Sequence, residues 1–238
     1  MAKVLVYLDS SAPVALIEAL GPALQKHFAA RAHTCVQLMQ AHPNDVFFVA
    51  PDGYTRPQAV VEVSVSPGTI LGDCYAPMAS ALRGLPMLSS SLVYVMQERR
   101  FIDCAPQPVH YHYLMVKRAD FTLADYNDYY SNYHCRMGLH TPAIAGYSQN
   151  YVDLDASQSL AQQLGLGCRE VTSISELKMP SLEALAAAPG LAAIAAPAAA
   201  DEARFVDRER SVSFSSEVVL RIGDFTTLAD AAFEQHFS

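Results

Sequence analysis

The residues best able to move protons in this 238-residue chain gather between positions 110 and 150. His134 falls near the end of a helix expected over 122–135. There the negative end of the helix dipole favours the imidazolium and would raise its pKa. An imidazole poised near neutrality can take a proton from an enolisable substrate or return one. The same ring could instead cap the free carbonyls of the helix end. Tyr126, Tyr129, Tyr130 and Tyr133 crowd this helix, with Tyr126, Tyr130 and Tyr133 on one stripe. Aromatic walls suit a flat ligand and phenolic hydroxyls can donate to a developing oxyanion, although tyrosines also serve as ordinary packing. Tyr147 is a sharper candidate, because it opens a strand beside the loop that follows the helix. His110 and His112 share a strand face with Leu114 and Val116. If that face lines a cavity, His112 is a second acid/base candidate; if it meets helices, His112 is a core residue. His140 lies in the loop after the helix, where a rigid scaffold often carries function.

Other chemistries lack support in the residues. No HxxxH, HExxH or clustered carboxylates mark a metal site, and no GxGxxG or Walker loop marks a nucleotide site. A GxSxG nucleophile elbow is missing too. The five cysteines are scattered and form no CxxC pair, which fits reduced thiols and a cytoplasmic setting better than a disulfide framework. The net charge of −8 argues against a nucleic-acid partner. The opening MAKVLVYLDSS lacks the apolar core of a signal peptide, and the apolar run 185–200 is broken by Pro189, Gly190 and Pro197. No membrane partner is expected.

The elements that must hold these residues follow from patterning. With 51% hydrophobic residues the chain can build a large core. Strands are expected over 3–8, 45–50, 58–65 and 91–97, with helices over 13–39 and 73–85. Val61, Val63 and Val65 alternate with Glu62 and Ser64 in the third of these strands. The segment Cys104-Ala105-Pro106-Gln107-Pro108 reads as a linker. The order then restarts. Strands are expected over 110–117, 146–153, 169–177 and 211–220. The helix 122–135 is capped by Thr122 with Asp125 at the third position, and an alanine-rich helix begins after Ser181 and runs with breaks to about Phe205. Gly165-Leu166-Gly167 reads as a turn between two strands. The pattern is βαββαβ twice, so the expected fold is α+β: tandem ferredoxin-like repeats at 1–105 and 109–222, followed by a tail at 223–238, whose sheets pair into an α+β barrel. Apolar faces left over would favour a homodimer.

The stretch YYSNYHCRMGLHTPAIAGYSQN at 129–150 resembles the signature of EthD-type proteins of the dimeric α+β barrel superfamily. Tyr129-Tyr130 stands at that family's aromatic pair, with Tyr130 in place of the usual Trp. His134 stands at its His, and Gly146-Tyr147-Ser148-Gln149-Asn150 at its strand start. SLEALAAA at 181–188 and DEARFVDRERSVSF at 201–214 look like its second helix and last strand. The first repeat has no comparable His motif, so it reads as degenerate and a single site is expected, in or bordering the second. The resemblance implies a hydrophobic cleft between sheet and helices and chemistry without metals or organic cofactors. It points to a lyase or isomerase acting on a hydrophobic, aromatic or polyketide-like carbonyl compound, or else to a binding or accessory protein for such a molecule. His134, Tyr147 and His112 are the catalytic candidates. Tyr126, Tyr129, Tyr130, Tyr133, His140 and Asn150 are the candidates for substrate contact.

Overall fold

The computed structural model describes residues 1–225; most of the tail expected at 223–238 lies outside them. Eight strands close into one antiparallel barrel in the order β1-β3-β2-β8-β5-β7-β6-β4. They are β1 (Ala2–Leu8), β2 (Thr34–Ala41), β3 (Ala59–Val65), β4 (Leu92–Ile102), β5 (Val109–Met115), β6 (Gly146–Asp153), β7 (Ser173–Met179) and β8 (Val212–Ile222). The two repeats are sealed edge to edge, β4 on β6 and β2 on β8. One chain therefore leaves no open sheet edge, the arrangement that removes edge-pairing hazards altogether.

Helices pack outside the barrel. They are α1 (Pro13–Phe28), α2 (Tyr75–Leu82), α3 (Leu123–Tyr129), α4 (Cys135–Leu139), α5 (Leu154–Leu164), α6 (Leu182–Ala186) and α7 (Leu191–Phe205). Thr122 caps α3 as its sequence predicts: its hydroxyl oxygen accepts from Asp125 N at 3.1 Å. Among the described residues no helix is long and apolar enough to cross a membrane.

Three expectations are corrected. The first helix stops at Phe28, and 34–41 is strand β2 instead of its continuation. Thr34 to Met39 are all buried, because one face meets helices and the other meets the barrel interior. A strand buried on both faces loses the alternation that would identify it. Residues 45–50, expected as a strand, form a loop with one bridge, Val49 to Ser213. Their β propensity is high, but β2 takes that edge of β8 from Ser216 onward, only the Val49 bridge forms on the short stretch before it, and Val46 and Val49 stay exposed. Gly165 does not join two strands; it ends the unanticipated helix α5 in a left-handed conformation (φ 67°), and Asp153 caps the start of that helix.

The two outer faces of the barrel are filled differently. On the first repeat, α1 inserts Leu16, Leu20, Leu24 and Phe28 among Val4, Val6, Val61 and Val63, and α5 adds Leu160 to the same cluster. That face is solid. On the second repeat the buried apolar residues fall into two separate groups, one around Tyr126, Tyr130 and Phe205, the other around Met179, Leu182 and Leu185. Between them α7 offers Ala195, Ala198 and Ala199, too short to reach the sheet, and a cleft remains.

The barrel interior is packed, with one apolar end and one charged end. Leu5, Tyr7, Met39, Tyr94, Leu114 and Phe214 form the apolar end. At the other, the fully buried Lys3 ammonium meets Glu62 at 3.4 Å, Glu98 at 3.3 Å and Glu176. Arg100 and Lys178 also approach Glu98. Burial alone would lower the Lys3 pKa, but the three carboxylates raise it above its ordinary value. Burial opposes ionisation of Glu98 and Glu176 too, yet Lys3 and its cationic neighbours hold both below the usual carboxylate range.

Candidate active site

The cleft between the sheet and α7 encloses about 240 Å³. That is below the roughly 300–1,000 Å³ common for drug-sized ligands and suits a small metabolite. Leu191, Ile194 and the three alanines make one wall; Tyr111, Tyr113 and Tyr147 make the opposite one, and Phe47 of the first repeat contributes at the edge. The polar groups that reach it include His134, Glu202, Ser175 and Thr141.

His134 owes its place to a distortion. Residues Tyr130–His134 form a π-helical turn between α3 and α4, a feature frequent at functional sites. With the wider turn, the buried stripe runs Tyr126, Tyr130, His134, the rings of Tyr130 and His134 lying 5.9 Å apart. Tyr133 leaves the stripe for solvent and stacks on Tyr129. The helix continues through α4, so His134 is not at a helix end and no terminal dipole acts on it. Burial lowers its pKa from 6.5, opposed by a hydrogen bond to Asp201 and by that carboxylate's charge. This reverses the upward shift expected from a helix end. Asp201 Oδ2 lies 2.8 Å from His134 Nδ1, and Asp201 Oδ1 accepts from the Tyr129 hydroxyl at 2.6 Å. With the carboxylate as acceptor, the proton is placed on Nδ1 and the Nε2 lone pair is left for the cleft.

Tyr147 is oriented by its own strand. Gln149, two residues on and on the same face, donates from Nε2 to the Tyr147 hydroxyl oxygen at 2.7 Å and to the Tyr130 carbonyl at 2.9 Å. Its Oε1 accepts from the Tyr151 hydroxyl at 2.5 Å. Because the Tyr147 oxygen is already an acceptor, its own proton remains to be donated. Phe101 stacks on the ring at 5.3 Å. Gly138 of α4 permits the approach: a Cβ there would overlap the Tyr147 ring. Burial raises the pKa of the phenol, which keeps it a donor.

Glu202, one residue after Asp201, lines the same cleft. Burial raises its pKa to about 7, against the opposing effects of Arg208 and a hydrogen bond with Tyr113. Near neutrality it populates both forms, as an acid/base group needs.

The remaining candidates lie elsewhere. Tyr126 is fully buried beneath the cleft, its hydroxyl 2.7 Å from Ser173 Oγ, and Tyr130 is equally enclosed. Tyr129 reaches Asp201, not the cleft lining. His140 is exposed, its Nδ1 2.6 Å from the Arg136 carbonyl, as a helix-end cap. Asn150 and His112 point into the barrel, on the faces of β6 and β5 opposite those that carry Tyr147 and Tyr113. Asn150 donates to the Ile174 carbonyl and to Glu176; His112 stacks on Phe214 and pairs with Ser216 Oγ at 2.9 Å. Burial lowers the pKa of His112 to about 3. The sheet therefore separates His112 from His134. Asp201, Glu202 and Gln149 escape the sequence reading. The signal for the first two was present, because they are the only acids in an otherwise alanine-rich helix.

Comparison with known proteins places this geometry. The family model described as EthD domain matches residues 118–209. Those residues are an EthD domain. The EthD domain contains His134, Tyr147, Gln149, Asp201 and Glu202, while Tyr111 and Tyr113 precede it. A search of curated proteins finds no match. Among solved structures, an anthrone oxidase-like protein superposes with a TM-score of 0.60 at 13% identity, over 97% of this chain and 96% of that one. A chlorite dismutase-like protein gives 0.53 at 14%, over 92% and 94%. A monooxygenase-like protein from Lactobacillus acidophilus gives 0.52 at 9%, over 93% and 95%. These are similarities of fold: the chain is an α+β barrel.

Proposed function

We propose that the cleft of the EthD domain catalyses proton transfer on a small, flat, hydrophobic carbonyl or phenolic compound, as a lyase or isomerase whose acid/base groups all come from the protein. The observation that carries this reading is the convergence of a His–Asp pair and a glutamic acid titrating near neutrality on one apolar cavity. His134 Nε2 takes the proton next to the carbonyl while Asp201 steadies the imidazolium that forms. The Tyr147 hydroxyl donates to the enolate or phenolate oxygen. Glu202, when protonated, gives its proton either to a leaving hydroxyl, which departs as water, or to another carbon of the substrate. The first outcome is dehydration, the second isomerisation. Exclusion of water by the alanine wall strengthens each of these hydrogen bonds. The name of one similar structure, an anthrone oxidase-like protein, supports an aromatic ligand in this fold.

The test is incubation with a panel of hydroxylated aromatic ketones followed by mass and proton-exchange analysis. Loss of water, or exchange of solvent deuterium into a carbon position, is expected from the wild type. His134→Gln should lower it at least 100-fold, a general-base effect, with the fold intact by circular dichroism. Ligands that bind and return intact and unexchanged would instead identify a binding protein, and undiminished turnover by His134→Gln would refute the role of that residue.

A further inference from the structure

The inner face of β5 carries two imidazoles that the cleft chemistry does not use. The register of β5 on β7 sets His112 opposite Glu176, with His110 one step along the same face. His110, His112 and Glu176 are all buried in the barrel. His112 Nε2 lies 2.9 Å from Ser216 Oγ, which leaves its Nδ1 buried without a hydrogen-bond partner among the described residues. His110 Nε2 and Asn150 Oδ1 are buried and unpartnered in the same way. Orphaned polar atoms in a buried interior call for an occupant. One ligand atom from each of His110, His112 and Glu176 lies within 4.8 Å of the others. His110 Nδ1 is 3.2 Å from Glu176 Oε1. Two metal–ligand bonds of about 2.0–2.1 Å meeting at the tetrahedral angle span about 3.3 Å, so this separation fits the edge of a coordination shell.

We propose that His110, His112 and Glu176 bind a first-row divalent cation such as zinc inside the barrel, at a site separate from the EthD cleft. Two imidazoles and one carboxylate are a donor set that such ions favour. Ser216 fixes the ring of His112 so that Nδ1 presents its lone pair, the outer-shell device that orients metal-bound histidines. Lys3 engages the other carboxylate oxygen of Glu176, leaving Oε1 for the ion. A cavity of about 40 Å³ at the barrel mouth, lined by His110, Glu62, Ser148 and Lys178, reaches the first of the three ligands from outside. All three ligands stand on paired strands, so the site needs no loop to close over it.

The full chain, stripped with a chelator, is titrated with Zn²⁺ by calorimetry and with Co²⁺ by visible absorption. One ion per chain is expected, with Co²⁺ bands displaced by Zn²⁺. His112→Phe keeps the ring stacked on Phe214 and should lower affinity at least 100-fold; His134→Gln, in the cleft, should not change it. Ser216→Ala should lower affinity about tenfold, and decides the matter if His112→Phe does not fold. Failure of the wild type to take up an ion overturns the proposal. Affinity unaffected by His112→Phe, or by Ser216→Ala, overturns it too, and leaves water as the occupant of the orphaned nitrogens. Uptake lost in His134→Gln alone would place the ion in the cleft and refute the barrel site. None of these outcomes depends on the acid/base chemistry proposed for the cleft.

Discussion

His134 and Glu202 sit in one apolar cleft, yet burial moves their protonation in opposite senses, because each is held toward its neutral form. For His134 that form is the base; for Glu202 it is the acid. The signs give a bell-shaped profile. Activity rises as His134 loses its proton below pH 6.5 and falls as Glu202 loses its own near pH 7. Glu202→Gln should remove the alkaline limb and lower kcat about 100-fold; a profile that keeps its fall above neutrality would assign that limb to another group. Asp201 raises the His134 pKa, so Asp201→Asn should move the acid limb to lower pH. Asparagine can also donate to Nδ1 and favour the tautomer with its proton on Nε2, pointing the wrong end of the ring at the substrate. A loss of about 100-fold or more in kcat is expected, read from steady-state kinetics across pH. Rates and limbs matching the wild type would reduce Asp201 to a packing partner.

At the scale of elements, the site depends on how closely α4 approaches β6. Gly138 is the contact point, and Gly138→Ala must displace either the Tyr147 ring or the helix. Overpacking of this kind costs about 1–3 kcal/mol, so denaturant unfolding should show that loss together with a fall in kcat. An alanine variant with wild-type stability and rate would mean that Tyr147 can move without consequence. This contact also marks where sequence reasoning runs out. The capping of α3 by Thr122, most strands and the linker before β5 were legible, because each depends on neighbours within a few residues. The π turn at 130–134 was not legible, and it decides that His134 faces the cleft while Tyr133 faces solvent. The stripe expected from a 3.6-residue period held for Tyr126 and Tyr130 and failed one turn later. Asp201 was readable as an acid in an alanine-rich helix, but its partner is 67 residues away, and only the packing of α7 on the π turn joins them. Strand β2 was hidden for a different reason, since both of its faces are buried.

The whole molecule is a division of labour between two faces of one barrel wall. Outside, the first repeat is filled beneath α1 by leucines, whereas the alanines of α7 leave a hollow on the second repeat, and that difference puts the cleft lined by His134 under α7. Inside, the wall closes on charge. Lys3 is drawn from the first strand, Glu62 and Glu98 from the first repeat, and Glu176 from the second, so the ion cluster fastens the repeats across the interior. Removing one partner of a buried charge cluster strands the others, at about 3–5 kcal/mol. Lys3→Met should therefore destabilise the barrel by that amount in urea unfolding, although its side chain fills similar space. The pH dependence follows from the same groups. Glu98 and Glu176 have folded pKa values below the ordinary 4.5, so their stabilisation is complete above that value and is lost as pH falls from 4.5 toward the depressed folded values. Lys3 has a raised pKa, so its share is complete below 10.5 and fades only as pH climbs beyond it. Wild-type stability should accordingly drop steeply below pH 4.5. Lys3→Met, in which that cation no longer holds the carboxylates ionised, should show a shallower acid slope. Equal slopes in the two proteins would mean that other carboxylates, outside the barrel, govern acid unfolding.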